Sequence, residues 1–235
     1  MPAMELGKYR NIVLLTGAGI SQAAGLPTYR GKGGLWSDPE LAALVYVEAL
    51  ATRRRESCSM LWDFRCSIAK VEPTAAHRAL AAFEDRLPAG TSFLIITQNV
   101  DGLHQRAGSR RVVEYHGTLQ RWRCEQCGVE LEPPDGDLPV HCDELMRPSA
   151  VLFGELIPPA AERAAKLALR GCDLFVAIGT SGTVWPAANF VRWAELNGAR
   201  RVLLNLEIDQ DAHEAYPECH AGTADELVPQ LFGPA

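Results

Sequence analysis

Three clusters in this sequence have the residue types and spacings that chemistry needs. The first is Gly17-Ala18-Gly19, which follows the apolar run 12–15 (IVLL) directly and opens a helix-like segment at Ile20. Glycine lets the backbone approach a pyrophosphate closely, and a new helix turns unpaired N–H groups and the positive end of its dipole toward the anion. The second is Gln98-Asn99-Val100-Asp101, after the apolar run 93–97, together with His116, after the run 112–115. Polar groups at the carboxyl end of a parallel strand face the ligand crevice, and a histidine there titrates near neutral pH and can serve as a general base. A further run, 173–178, ends in Gly179-Thr180-Ser181, small donors suited to a phosphate or ribose. The third cluster is Cys124 and Cys127 with Gly128, where the two-residue gap lets both thiolates reach one tetrahedral ion. Its other half is damaged, because a second Cys-x-x-Cys ending at Cys142 needs a cysteine where the chain has Pro139.

The glycine cradle is not a complete dinucleotide fingerprint. G-x-G-x-x-G would place its third glycine at Gln22, and the ribose-binding acid expected about 20 positions on, after a second strand, falls near Asp38 and Glu40 with no strand before them. Both features disfavour an NAD-dependent oxidoreductase. Beyond the cradle, Tyr29 and Arg30 supply an aromatic and a cation that could close over a ligand, and the glycine-rich 31–36 has the composition of a lid.

Strands and helices alternate around these groups. The pattern predicts a Rossmann-like, doubly wound parallel α/β sheet made from residues 1–38, 72–118 and 146–235, with its crevice at the strands' carboxyl ends. Residues 39–71 read as a helical insertion of two or three short helices, and 119–145 as a zinc-ribbon-like insertion. Helices are expected over 74–87, 156–169, 185–196 and 224–231, and a fifth strand over 201–206. His77, on the first of those helices, has no partner at ligand or triad spacing and reads as a packing or surface residue.

At 235 residues, with 47% hydrophobic and 22% charged residues, the chain suits one large domain with room for a small insertion. A net charge of -6 argues against nucleic acid as a partner, and Arg53-Arg54-Arg55 reads as a solvated helix face. Seven cysteines, no secretory leader and no apolar run of about 18 residues point to a reducing, cytoplasmic setting with no membrane partner. Cys58, Cys66, Cys172 and Cys219 lack ligand spacing and read as small hydrophobes.

Taken in order, GAGIS at 17–21, TQNVDGLH at 97–104, EYHG at 114–117, C-x-x-C at 124–127, RPSAVLFGE at 147–155, GTS at 179–181 and NLE at 205–207 resemble the sirtuins, the NAD-dependent protein lysine deacylases. The resemblance implies that Gly17, Ala18, Gly19 and Ile20 hold the NAD pyrophosphate, with Arg30 and Trp36 nearby. Gln98, Asn99, Val100 and Asp101 would line the ribose and nicotinamide pocket, with Asp101 on the carboxamide. Gly179, Thr180, Ser181, Asn205, Leu206, Glu207 and Ala224 would complete the cofactor site, Glu207 meeting the adenine-side ribose and the Ala224 backbone the adenine. The implied catalytic set is His116, Asn99 and Asp101, with His116 as the base that deprotonates a ribose hydroxyl. Val151, Phe153, Gly154 and Glu155 would take an acyl-lysine protein or peptide as an added strand. The products would be deacylated lysine, nicotinamide and O-acyl-ADP-ribose.

Two departures carry expectations of their own. Relatives that prefer succinyl or malonyl lysine carry a Tyr-x-x-Arg pair in the helical insertion. The nearest match here is Trp62-Asp63-Phe64-Arg65, so acetyl is expected to be processed at least as well as an acidic acyl group. The metal set is Cys124, Cys127 and Cys142, with His141, Asp137 or Asp143 as the fourth ligand. Neighbouring residues on an extended chain point opposite ways, which disfavours His141 beside Cys142 and predicts weak or absent zinc. The reading is therefore an NAD-dependent lysine deacylase, most simply a deacetylase. Its alternatives are a desuccinylase or demalonylase on the same scaffold, a non-catalytic NAD or ADP-ribose binder, and a zinc-ribbon binding module.

Overall fold

A computed structural model describes residues 4–5, 7–27, 38–208, 210 and 212–233. The strands are β1 (Asn11–Thr16), β2 (Ser92–Thr97), β3 (Val112–Glu114), β4 (Gly117–Arg123), β5 (Glu130–Leu131), β6 (Val140–His141), β7 (Glu144–Leu145), β8 (Arg147–Ala150), β9 (Leu174–Ile178), β10 (Arg200–Asn205) and β11 (Glu218–Ala221). The helices are α1 (Pro39–Ala43), α2 (Val47–Thr52), α3 (Arg54–Ala69), α4 (Ala75–Arg86), α5 (Leu103–Arg106), α6 (Pro159–Leu169), α7 (Phe190–Leu196), α8 (Ala212–Ala215) and α9 (Ala224–Phe232).

Six strands form a parallel sheet in the order β11-β10-β9-β1-β2-β3. This is the doubly wound dinucleotide-binding order, and its switch point lies between β1 and β9. Because side chains alternate across a strand, Ile12 and Leu14 enter one core with α4 and α9, while Val13 and Leu15 enter the other with α6 and α7. Burial on both faces explains why the strands read as continuous apolar runs.

Local chemistry sets the helix starts. Thr74 caps α4 in a capping box with His77, and Thr223 caps α9 in one with Glu226. α6 begins at Pro159 rather than 156, since Pro158 stands at its cap and proline suits only the first turn. Three corrections concern elements. The segment after Gly17 is a 3₁₀ helix, Ala18–Ala24, closed by Gly25 in the left-handed region. Of the three insertion helices, α3 runs for 16 residues. A sixth main-sheet strand, β11, has no apolar run and forms only by pairing with β10.

A second sheet, β5-β4-β8, packs against α3. Their shared core contains Leu61, Trp62 and Ile68 from α3, Leu119 and Trp122 from β4, and Met146, Ala150 and Leu152. The expected lid at 31–36, with Trp36, and the positions Tyr29 and Arg30 lie outside the described residues.

Candidate active site

At the switch point the two glycine turns lock together. Gly17 N–H donates to Ile178 O at 3.0 Å and Gly19 N–H to Gly179 O at 2.9 Å. A Cβ on Gly17 would stand 2.7 Å from Gly179 O, and one on Gly19 would stand 2.7 Å from Gly179 Cα. Gly179 itself has φ +59°, and its Cβ would fall 2.6 Å from Ile20 N. The glycines expected to admit a pyrophosphate are thus also required by backbone-to-backbone packing. Thr180 accepts at Oγ1 from Gln98 Nε2 at 2.8 Å, which ties the β9 turn to the end of β2.

Asn99 follows β2 and is buried. Its amide nitrogen donates to Gly17 O at 3.1 Å and to Ser21 Oγ at 3.2 Å, so both hydrogens are used. Among the described residues Asn99 Oδ1 is buried without a partner. A buried acceptor is costly to leave unpaired, so this atom fits a donor on a ligand, such as a ribose hydroxyl or a carboxamide N–H. The Ser21 hydroxyl in turn donates to Asp101 Oδ2 at 2.7 Å, and Leu103 N–H donates to Asp101 Oδ1 at 2.9 Å. Burial pushes the Asp101 carboxyl up, against the pull of those two donors. Ala18, Ser21, Leu26, Pro27, Phe64, Asn99 and Asp101 line one small cavity here. Ser21, Leu26, Pro27 and Phe64 were not among the expected site residues. Ser21 stood within the quoted GAGIS motif, whereas nothing local marked Phe64. Val100 turns away and packs on the third core.

His116 lies two residues past β3 and is partly buried. Its Nδ1 is 3.1 Å from Gln98 O. A carbonyl can only accept, so Nδ1 carries the proton and the neutral ring keeps its lone pair on Nε2. Burial lowers the His116 pKa, partly offset by the Gln98 carbonyl. The ring is therefore a neutral base of fixed tautomer, held by the carbonyl of the residue before Asn99.

The expected docking segment is held at both ends. Val151 N–H donates to His116 O at 2.8 Å, Phe153 N–H to Val45 O at 2.9 Å, and Val47 N–H to Phe153 O at 2.9 Å. Gly154 has φ +89° and lies against Val47. Glu155 turns inward: its carboxylate takes Arg147 at 2.6 and 2.8 Å and Leu152 N–H at 2.8 Å. Its side chain acts within the protein, so any part it takes in receiving an added strand falls to its main chain.

For Trp62 and Arg65 the sequence leaves two readings, an acyl-carboxylate contact or a core Trp62 beside an exposed Arg65. Both are buried. Arg65 Nη1 pairs with Asp135 Oδ1 at 3.1 Å, Nη2 donates to Pro133 O at 2.7 Å, and the guanidinium lies 4.7 Å from the Trp62 ring. Trp62 Nε1 donates to Gly136 O at 2.9 Å, and its ring meets Trp122 edge-on. Together they clamp the 133–136 loop onto α3.

The adenine-side candidates line up along β10 and α9. Asn205 ends β10 and donates from Nδ2 to Thr180 O at 3.4 Å. Leu206 and Glu207 are exposed just beyond, Ala224 opens α9, and Ser181 is exposed with its Oγ 2.9 Å from Thr183 Oγ1.

Cys124, Cys127, His141 and Cys142 bring their ligand atoms within 4.8 Å of one another. His141 Nδ1 lies 3.4 Å from Cys127 Sγ and 3.2 Å from Cys142 Sγ. A tetrahedral zinc with Zn–S of about 2.3 Å and Zn–N of about 2.05 Å separates sulfurs by roughly 3.8 Å and sulfur from nitrogen by roughly 3.6 Å. The donor set and spacing fit. The objection to adjacent ligands fails because β6 and β7 are joined by Cys142 and Asp143, at φ 51° and 61°. Such a left-handed hairpin turn breaks the alternation of an extended chain and lets His141 and Cys142 converge.

Against known proteins, the sequence model of the Sir2 family matches residues 17–186. A protein named NAD-dependent protein deacylase from Pasteurella multocida (strain Pm70) is 41% identical over 234 residues, covering 96% of this chain and 97% of the relative. Among solved structures, a Sir2 homologue mutant in complex with ADP-ribose superposes with a TM-score of 0.88 at 32% identity, covering 96% of this chain and 91% of the other. A Sir2 homolog–NAD complex gives 0.85 at 31% identity, with coverages of 99% and 94%.

Proposed function

This chain belongs to the Sir2 family, and from that premise we propose how its residues carry out NAD-dependent protein deacylation. The enzyme removes acyl groups from protein lysine and yields O-acyl-ADP-ribose, with NAD as co-substrate. One observation supports the residue assignment above the rest. His116 keeps its Nε2 lone pair while Nδ1 is tied to Gln98 O, one residue before Asn99, whose Oδ1 is a buried acceptor with no partner among the described residues.

In this reading NAD supplies the sugar carbon that nicotinamide leaves. Asp101, fixed by Ser21 and Leu103, receives the carboxamide, and the cavity it shares with Leu26, Pro27 and Phe64 keeps water from that carbon. Asn99 Oδ1 accepts from the ligand while its nitrogen stays locked to Gly17 and Ser21. The acyl-lysine carbonyl oxygen would take the sugar carbon that nicotinamide vacates, and His116 Nε2 would take the proton of a ribose hydroxyl so that the hydroxyl oxygen bonds the acyl carbon. Water would then release the lysine amine and leave the acyl group on the sugar, with Gln98 O holding the imidazolium. Gly17, Gly19 and Thr180 shape the floor under the phosphates.

Residues 1–38, 72–118 and 146–235 would form the NAD-binding domain, with 39–71 and 119–145 as its inserted modules. Zinc would be held by Cys124, Cys127, Cys142 and His141, where it would supply structural cross-linking of the knuckle to the β6–β7 hairpin. Acetyl is the favoured acyl group, because Arg65 is engaged by Asp135 and Pro133. Seven free cysteines fit a cytoplasmic setting, and among the described residues no helix is long and apolar enough to cross a membrane.

The test is steady-state nicotinamide release with acetyl-lysine peptide. Release that depends on both NAD and the acylated peptide is expected. Tight ADP-ribose binding with no acyl-dependent release would overturn catalysis in favour of a binding role.

A further inference from the structure

We propose that Arg147, through its buried pair with Glu155, is the positioning residue that shapes the peptide-docking segment and holds it in register with the general base. The proposal rests on the reading of 151–155 as the edge that receives the acyl-lysine chain.

Arg147 is almost wholly buried, yet each of its guanidinium nitrogens has a partner. Nε donates to Pro148 O at 3.3 Å, Nη1 to Glu155 Oε1 at 2.6 Å, and Nη2 to Ala150 O at 3.0 Å and Glu155 Oε2 at 2.8 Å. One planar fork therefore grips the chain just before the docking segment, at 148 and 150, and at its last residue, 155. The carboxylate reaches back into the same loop through Leu152 N–H. Residues 151–154 become a short closed arch with both feet on one side chain.

The arch is also tied to catalysis. Val151 N–H donates to the carbonyl of His116 itself. Gly117, the next residue, is at φ +69°, where a Cβ would collide with Ser149 O. The backbone carrying the base and the backbone carrying the arch are thus in direct contact. Glu125, inside the Cys-x-x-Cys knuckle, lies 3.7 Å from Arg147 and is held by Arg54 at 2.8 Å. The same guanidinium therefore also meets the metal-binding module.

A buried ion pair is poor evidence of a stabilising device, since apolar replacements of similar volume often match or exceed it. What the pair provides and a hydrophobic contact lacks is direction. Lysine would keep the charge but places its donors on one nitrogen and cannot reproduce the two parallel bonds of the fork to the carboxylate.

The experiment compares Arg147→Lys, Glu155→Gln and the double variant Arg147→Met with Glu155→Leu, each checked for folding by circular dichroism and thermal melting. In every variant that folds, the KM for acetyl-lysine peptide should rise about tenfold or more, the usual consequence of losing charged hydrogen bonds. ADP-ribose affinity, measured by calorimetry, should stay within about twofold, because no cradle residue is touched. Peptide KM unchanged in a folded variant overturns the proposal. So does a parallel fall in peptide and ADP-ribose binding, or the failure of all three variants to fold, since either makes the pair purely structural. The wild-type requirement for acylated peptide in nicotinamide release tests the functional reading separately.

Discussion

Two neutral histidines lie beneath the glycine cradle, and their burial makes stability fall in mild acid. His77 and His104 meet edge-on with ring centroids 4.7 Å apart. His104 Nε2 is 2.9 Å from Thr16 Oγ1 at the end of β1, and His77 Nδ1 faces both Thr74 N–H and Thr74 Oγ1. Thr74 Oγ1 in turn donates to Ile20 O in the cradle. Protonating Nδ1 would cost the bond it accepts from Thr74 N–H, and burial withholds solvent from the new charge. Burial holds His77 at about 4, Asp225 opposing and Arg78 adding to that shift, and holds His104 well below its ordinary value, with His77 adding to that shift. The folded protein thus binds fewer protons than the unfolded chain between about pH 4 and 6.5. Stability is fully present above the unfolded value and is lost as pH falls through that window. For His77 alone the loss is about 3 kcal/mol, at a slope of about 1.4 kcal/mol per pH unit. In His77→Asn the amide oxygen keeps an acceptor for Thr74 but does not titrate. Urea denaturation across the window should show the variant less stable near neutrality and flatter toward acid. Equal slopes in wild type and variant would refute the assignment of a neutral buried pair.

Four further outcomes are expected. His116→Ala should lower deacylation by about 10² to 10⁴ while ADP-ribose binding persists, since a general base acts in the chemical step; near-wild-type turnover would remove the mechanism. The acid limb of kcat/KM should lie below the ordinary histidine value, as burial of His116 requires, and a pH titration reads it directly. His141→Ala should lose zinc in metal analysis after dialysis against chelator, with wild type retaining one ion per chain, and the cobalt-substituted wild type should show a three-sulfur, one-nitrogen spectrum. Arg65→Ala should reduce acetyl and succinyl peptide turnover in the same proportion, because its guanidinium serves the 133–136 loop; a selective loss of desuccinylation would restore it to the acyl pocket.

The sequence by itself determined the order of strands and helices and the chemistry at their ends, because those signals are local. Continuous apolar runs mark strands buried on both faces, and residues just past them, Gly17, Asn99, His116 and Gly179, must emerge on one edge of a parallel sheet. Only the tertiary structure decided which atoms those residues present. Asn99 is turned by partners 82 and 78 positions away, Gly17 and Ser21, so nothing in its neighbourhood shows that its nitrogen is engaged and its oxygen left for a ligand. Arg65 is only the nearest match to an acyl-carboxylate pair, and a loop 70 residues on supplies Asp135 as its partner. β11 has no pattern of its own and exists because β10 offers a free edge. His141 was set aside by a rule that holds for extended backbone, and two left-handed residues at a hairpin tip suspend that rule. Spacing reports what a chain can reach, whereas the competition among partners for each polar atom is settled only when the distant parts have packed.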